Sequence, residues 1–248
     1  MVEAGWASDR TRGSVVGLAL VIAVLALLGP AVYLGSRPDG IAPGPGEGPR
    51  ILATGDSMMR YLDGRLKDKL GRIQQVSFPR SDIRIGSGIS KDDWVGIARR
   101  QVREHQPRAT VVFMGAADGF PMPHALCCGE AWIAEYARRA KKMVRAYSRK
   151  GRAEVYWLTL PAARDARRGR IFKAVNRAIR RAVRSSEQAH LVDAGAVFTP
   201  GGRYRRTMLW EGRQVVVRTP DGVHLTSGAH AIAAPLIRDA MRRDGLLP

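Results

Sequence analysis

Four short apolar runs, alternating with longer stretches of helical periodicity, limit what this chain can fold into more than any other feature. Ile51–Thr54, Thr110–Met114, Ala153–Leu160 and His190–Val192 each stop at a turn-forming residue: Gly55, Gly115, Pro161 and Asp193. Runs of this length bounded by turn signals read as buried strands. Between them, apolar residues recur every three or four positions. Met58, Tyr61, Leu62, Leu66 and Leu70 make one such face and Gly71 closes it. Trp94, Ile97, Ala98 and Val102 make the next, with Ser90 as its expected cap, and it ends before Pro107. Trp132, Ile133, Tyr136, Ala140, Met143, Val144 and Tyr147 follow, then Ile171, Phe172, Val175, Ile179, Ala182 and Val183. A last helix is predicted over Ser227–Arg242, a further strand over Ile73–Phe78, and a β-hairpin over Arg203–Arg218 turning at Glu211-Gly212. Strands alternating with helices imply an α/β fold, a parallel sheet covered on both faces.

In an open α/β sheet, ligands bind beyond the carboxyl ends of the strands. The first run delivers Gly55-Asp56-Ser57 to that edge. A serine hydroxyl is a nucleophile only where a base can reach it, and Asp221-Gly222-Val223-His224 supplies a histidine with an acid three residues before it. The bland alternative makes Ser57 a helix cap and His224 a core histidine, and the two assignments stand or fall together. Asp56 then serves to brace its own turn. His105, His190 and His230 lack comparable surroundings and are expected to be structural.

Val15–Leu34 carries no charge, and roughly 20 apolar residues of helix span a bilayer. Residues 14–35 are therefore expected to be an uncleaved signal anchor. A cleaved signal peptide competes, but its apolar region is usually about 7–15 residues and is followed by an A-x-A-like site. Residues 1–13 form a polar tail, and 36–49, dense in glycine and proline, a semi-stiff spacer. The folded domain is placed at 50–248, with single-pass attachment to the cytoplasmic membrane. Arg10 and Arg12 against Arg37 and Arg50 leave the orientation undecided by charge, and an extracytoplasmic domain is the expectation.

The 41 lysines and arginines exceed the 22 acids by 19, so the surface attracts polyanions. Anionic envelope polymers and lipid headgroups fit, whereas nucleic acid is disfavoured because an anchored domain has restricted access and no nucleic-acid module is visible. Cys127 and Cys128 are the only cysteines. Two reduced, part-buried thiols are expected, with a bridge between the neighbours as the alternative. With His124 they make a poor zinc site, so no metal and no cofactor are expected.

The separated blocks resemble those of the SGNH, or GDSL-type, hydrolase superfamily, in order over about Arg50–Pro248. Gly55-Asp56-Ser57 is similar to the nucleophile block, Gly88 to the glycine block, Gly115–Asp118 to the third block and Asp221–His224 to the closing Asp-x-x-His. Trp132–Tyr136 and Thr219–Thr226 are similar to a bacterial branch known as domain of unknown function 459. The resemblance implies a three-layer α/β/α fold with a flavodoxin-like parallel sheet. It further implies ester or acyl-transfer chemistry through Ser57, His224 and Asp221, with the Ser57 and Gly88 N–H groups as oxyanion donors. The third block departs from the family's Gly-x-Asn-Asp: Ala117 stands where an asparagine would donate to the oxyanion, and an ionised Asp118 would repel that anion. The branch lends no substrate; the first reading is an anchored esterase or acyltransferase acting on acylated cell-envelope glycans or lipids. A non-catalytic module gripping anionic polymers is the second reading.

Overall fold

The computed structural model describes residues 49–71, 73 and 81–248. The polar tail, the apolar run at 15–34 and nearly all of the spacer and of the strand predicted over 73–78 lie outside them. Among the described residues no helix is long and apolar enough to cross a membrane.

Along the chain come β1 (Ile51–Gly55), α1 (Leu62–Leu70), β2 (Asp82–Ile83), α2 (Trp94–His105), β3 (Ala109–Phe113) and α3 (Glu130–Tyr147). Then follow β4 (Glu154–Leu158), α4 (Ala166–Val183), β5 (Ala189–Val192), α5 (Ala194–Phe198), the hairpin β6–β7 (Thr207–Trp210, Arg213–Val216) and α6 (Ser227–Arg243). β1 to β5 form one parallel sheet in the order β2-β1-β3-β4-β5. The order reverses between β1 and β3, and at such a switch point two loops diverge and leave a crevice.

Helices cover both faces. α2, α3 and α4 pack side by side on one, and α1 packs with α6 on the other. β1 and β3 are buried along their whole length, which is why they read as continuous apolar runs rather than alternating ones. One polar chain crosses the core: Tyr147 donates to Gln101 at 2.6 Å, Gln101 to Thr54 at 2.9 Å, and Thr54 to the Asp82 carbonyl at 2.8 Å. Every member is satisfied, so the chain fixes α2 and α3 against β1 without an orphaned buried group.

Two local expectations are corrected. α2 is capped by Asp93, whose carboxylate accepts from the Gly96 N–H at 2.9 Å, and not by Ser90; an aspartate one residue before the first helical position outcompetes a serine four before it. Cys127 and Cys128 are joined in a disulfide rather than left as thiols. Met122 and Ala125 exchange two backbone hydrogen bonds of 2.9 Å just before them.

Candidate active site

β1 ends on a glycine because nothing larger fits. A Cβ on Gly55 would lie 2.0 Å from the Phe113 carbonyl oxygen of β3. The next residue, Asp56, is fully buried and ties the two sides of the switch point together. Its Oδ1 accepts the Met58 N–H at 2.8 Å, and its Oδ2 accepts those of Gly115 and Ala116 at 2.8 Å and Ala117 at 3.3 Å. Burial raises its pKa, and the four amide donors oppose the rise by stabilising the carboxylate. Sequence reading assigned Asp56 to its own turn; its reach across to the loop after β3 depends on a strand pairing no local pattern shows.

Ser57, half-buried, projects from this turn. Its Oγ lies 2.8 Å from Nε2 of His224, and Nδ1 of His224 lies 2.5 Å from Oδ2 of Asp221. The structure thus brings the three residues into one hydrogen-bonded chain, although Ser57 and His224 are 167 positions apart. Burial opposes ionisation of Asp221, yet bonds from the Thr219 hydroxyl, the His224 ring and the Val223 and His224 amides hold its carboxyl well below the usual range. An ionised carboxylate only accepts, so Nδ1 must carry the proton facing it. Neutral His224 then turns its Nε2 lone pair towards the Ser57 hydroxyl, the arrangement a general base needs.

The loop holding acid and base has its own supports. Asp221 Oδ1 accepts from Thr219 Oγ1 at 2.6 Å, Val223 N at 2.8 Å and His224 N at 3.1 Å. Arg218, fully buried, donates from Nη2 to the Gly222 carbonyl at 3.1 Å, while its Nε and Nη1 reach no acceptor among the described residues. Burial lowers its pKa to about 10. The hairpin expected over Arg203–Arg218 is corrected at its end: β7 stops at Val216, and Arg218 pairs with Leu225 instead.

The remaining site residues are placed differently from expectation. The Gly88 N–H is donated to Asp92 Oδ2 at 2.9 Å, and the Ser87 hydroxyl donates to the same oxygen at 2.6 Å. An oxyanion would have to displace a carboxylate to use it, so the free-donor role expected of Gly88 is not the one it has here. Space dictates this glycine: a Cβ there would fall 2.6 Å from Asp118 Oδ1. Asp118 is not a substrate-facing group. It is buried, accepting the Ser90 N–H at 2.7 Å and the Tyr136 hydroxyl at 2.8 Å, and so clamps the glycine loop to β3 and α3. The side chain at Ala117 offers no donor, which leaves the Ser57 N–H as the one expected oxyanion donor unclaimed among the described residues.

Burial pushes the Asp118 pKa up to about 6 from the ordinary 3.8. A raised folded-state value means that the stability this group contributes is fully present below the lower figure and is lost as pH rises through the higher one. Passing from one value to the other is worth about 3 kcal/mol. His230, pushed down to about 4 by burial, slopes the opposite way over much of the same window, so the informative quantity is a difference. Urea unfolding of Asp118→Asn against wild type should show the variant gaining about 2–3 kcal/mol relative to wild type between pH 4 and pH 7. A difference that stays flat across that range would contradict the assignment.

The geometry has parallels of fold among solved structures. A carbohydrate acetylesterase, Est24, from Sinorhizobium meliloti superposes with a TM-score of 0.53 at 13% identity, over 79% of this chain and 99% of that one. The periplasmic domain of a lipopolysaccharide acetyltransferase from Salmonella ser. Paratyphi A gives 0.54 at 9% identity, over 80% and 85%. At these identities the likeness is one of fold. No curated protein sequence matches the chain. The model of one sequence family, described as protein of unknown function (DUF459), matches residues 50–239, which take in the whole sheet, Ser57, Asp221 and His224, and the chain belongs to that family.

Proposed function

We propose that the chain is a serine esterase or O-acyltransferase acting on acylated glycans or lipids of the cell envelope. The observation that carries the proposal is the continuous chain from Ser57 Oγ to Nε2 at 2.8 Å and from Nδ1 to Asp221 at 2.5 Å. Ser57 Oγ attacks the ester carbonyl as its proton passes to Nε2, forming a tetrahedral intermediate. Collapse expels the alcohol, which takes the proton back from Nε2 and leaves an acyl group on Ser57. Water or a second alcohol, deprotonated by the same nitrogen, then attacks the acyl-serine, and the acyl group leaves as carboxylic acid or new ester. Asp221 keeps the ring in the productive tautomer and stabilises its charged form.

The two structures of the same fold support the reading because one is named a carbohydrate acetylesterase and the other a lipopolysaccharide acetyltransferase domain. The apolar run at 15–34 supports attachment to the cytoplasmic membrane, and an envelope substrate requires this domain on its outer side. With Ala117 offering no side-chain donor and the Gly88 N–H committed to Asp92, the oxyanion is poorly served. Since one donor is worth about 10²–10³ in kcat, turnover of simple esters should be slow, and an irreversible single modification of Ser57 is the better assay. A fluorophosphonate should label the protein stoichiometrically, with the added mass on the peptide containing Ser57. Absence of labelling together with absence of p-nitrophenyl acetate turnover would overturn the proposal in favour of a non-catalytic module.

A further inference from the structure

A groove of roughly 690 Å3 lies between the loop after β3 and the first turns of α4. Its floor is apolar, made by Pro121, Ile133, Ile171, Ala174 and the bonded Cys127-Cys128. Leu126 stands at its edge, 77% exposed. Together with this floor the uncovered leucine makes a contiguous apolar surface, and such a surface marks a place where something apolar binds.

The rim carries Arg167, Arg170, Lys173 and Arg177. Arg177 and Arg181 share Glu130, which leaves Arg167, Arg170 and Lys173 with no carboxylate among the described residues. α4 gains nothing from them, because its first turn holds no acid and cations near a helix N-terminus face the positive end of its dipole. A cationic rim over an apolar floor is complementary to a molecule that is anionic at one end and aliphatic at the other. The lining has no aromatic ring, amide or carboxylate, the groups that stack on sugar faces and hold sugar hydroxyls, so the groove is unsuited to a glycan. Its size is that of a pocket enclosing a small molecule.

Both walls continue into segments tied to the loops that hold Ser57, Asp221 and His224. Gly119 lies two residues beyond Ala117, whose N–H reaches Asp56. On the other wall the Arg164 N–H donates to the Gly222 carbonyl at 3.1 Å, inside the loop that carries Asp221 and His224. We infer that this groove binds an anionic lipid, with an aliphatic chain on the Ile133–Ile171 floor and a phosphate at the Arg167–Arg170–Lys173 rim. Building on the esterase reading above, this lipid is the acyl donor or acceptor of the Ser57 reaction.

The test uses the full chain in phosphatidylcholine nanodiscs and a long-chain alkyl phosphate with a diazirine at the chain end, photolysed and mapped by mass spectrometry. Label is expected on peptides covering 119–133 and 166–177, at least tenfold above that from the matching uncharged alcohol. Arg167→Glu/Arg170→Glu/Lys173→Glu and, separately, Leu126→Asp should each lower it at least tenfold, and excess unlabelled alkyl phosphate should abolish it. Equal labelling by the uncharged probe, label spread evenly over the chain, or equal protection by chain-free polyphosphate would overturn the inference. Should the triple variant misfold, the uncharged probe and Leu126→Asp still decide. Ser57→Ala should label like wild type, so a protein that labels without turnover keeps the groove and loses the esterase, whereas turnover without labelling does the reverse.

Discussion

Replacing Ser57 by alanine is expected to lower kcat on a p-nitrophenyl ester by about 10⁶, or to the detection limit, and His224→Ala should cost as much. The double variant should lose no more than either single one, because the two side chains act through one hydrogen bond, 2.8 Å long, and neither does anything alone. Asp221→Asn should cost about 10⁴, for a reason visible in its surroundings. Asp221 Oδ1 accepts three donors, from Thr219, Val223 and His224, so an asparagine must keep its carbonyl oxygen there and turn its NH2 towards Nδ1. That forces the proton onto Nε2, which then faces the Ser57 hydroxyl as a donor and cannot take its proton. Near-UV circular dichroism should be unchanged in all four variants. An Asp221→Asn enzyme with more than a tenth of wild-type kcat would show that the acid does not set the tautomer.

Asp56→Ala should be the most destabilising single change in the site. It strands four amide donors, those of Met58, Gly115, Ala116 and Ala117, and each buried donor without an acceptor costs about 1–3 kcal/mol. Loss of about 4 kcal/mol or more is expected, a large share of the ~5–15 kcal/mol of a typical domain. Asp56→Asn should be milder, about 2–3 kcal/mol, because its carbonyl oxygen can keep the three amides of the β3 loop while its NH2 confronts only the Met58 N–H. Urea denaturation of both variants at pH 7 tests the order and the sizes. If both lie within 1 kcal/mol of wild type, water replaces the carboxylate and the two loops are not tied by it.

The strands and helices that build the crest were legible because the burial that forms them leaves a periodic trace. β1 and β3 are apolar end to end, and the inward positions of α3 and α4 repeat at helical spacing. Ser57, Asp221 and His224 were legible because Ser57 follows an apolar run at a turn and the other two form an Asp-x-x-His block, both resembling blocks of a known superfamily. What the sequence did not carry are contacts between loops. Asp56 holds three amides 59 to 61 positions away, Asp92 takes the Gly88 N–H, and Asp118 turns inward to Ser90 and Tyr136. Each acceptor had several plausible partners, and only the closed sheet selects among them. Arg218 was missed for a related reason: in an arginine-rich chain, one buried guanidinium has no local mark. α5, only five residues long, is too short to show a period.

The separation between hydroxyl and imidazole also sets an order of events. Synthesis delivers Ser57 167 residues ahead of His224, which lies just before α6, a helix that packs against α1 and is joined to it where Arg65 donates to Ser227 Oγ at 2.8 Å. A growing chain therefore carries Ser57 without its base until the segment bearing His224 has been made, and on the esterase reading proposed above the hydroxyl stays inert towards esters until that segment docks.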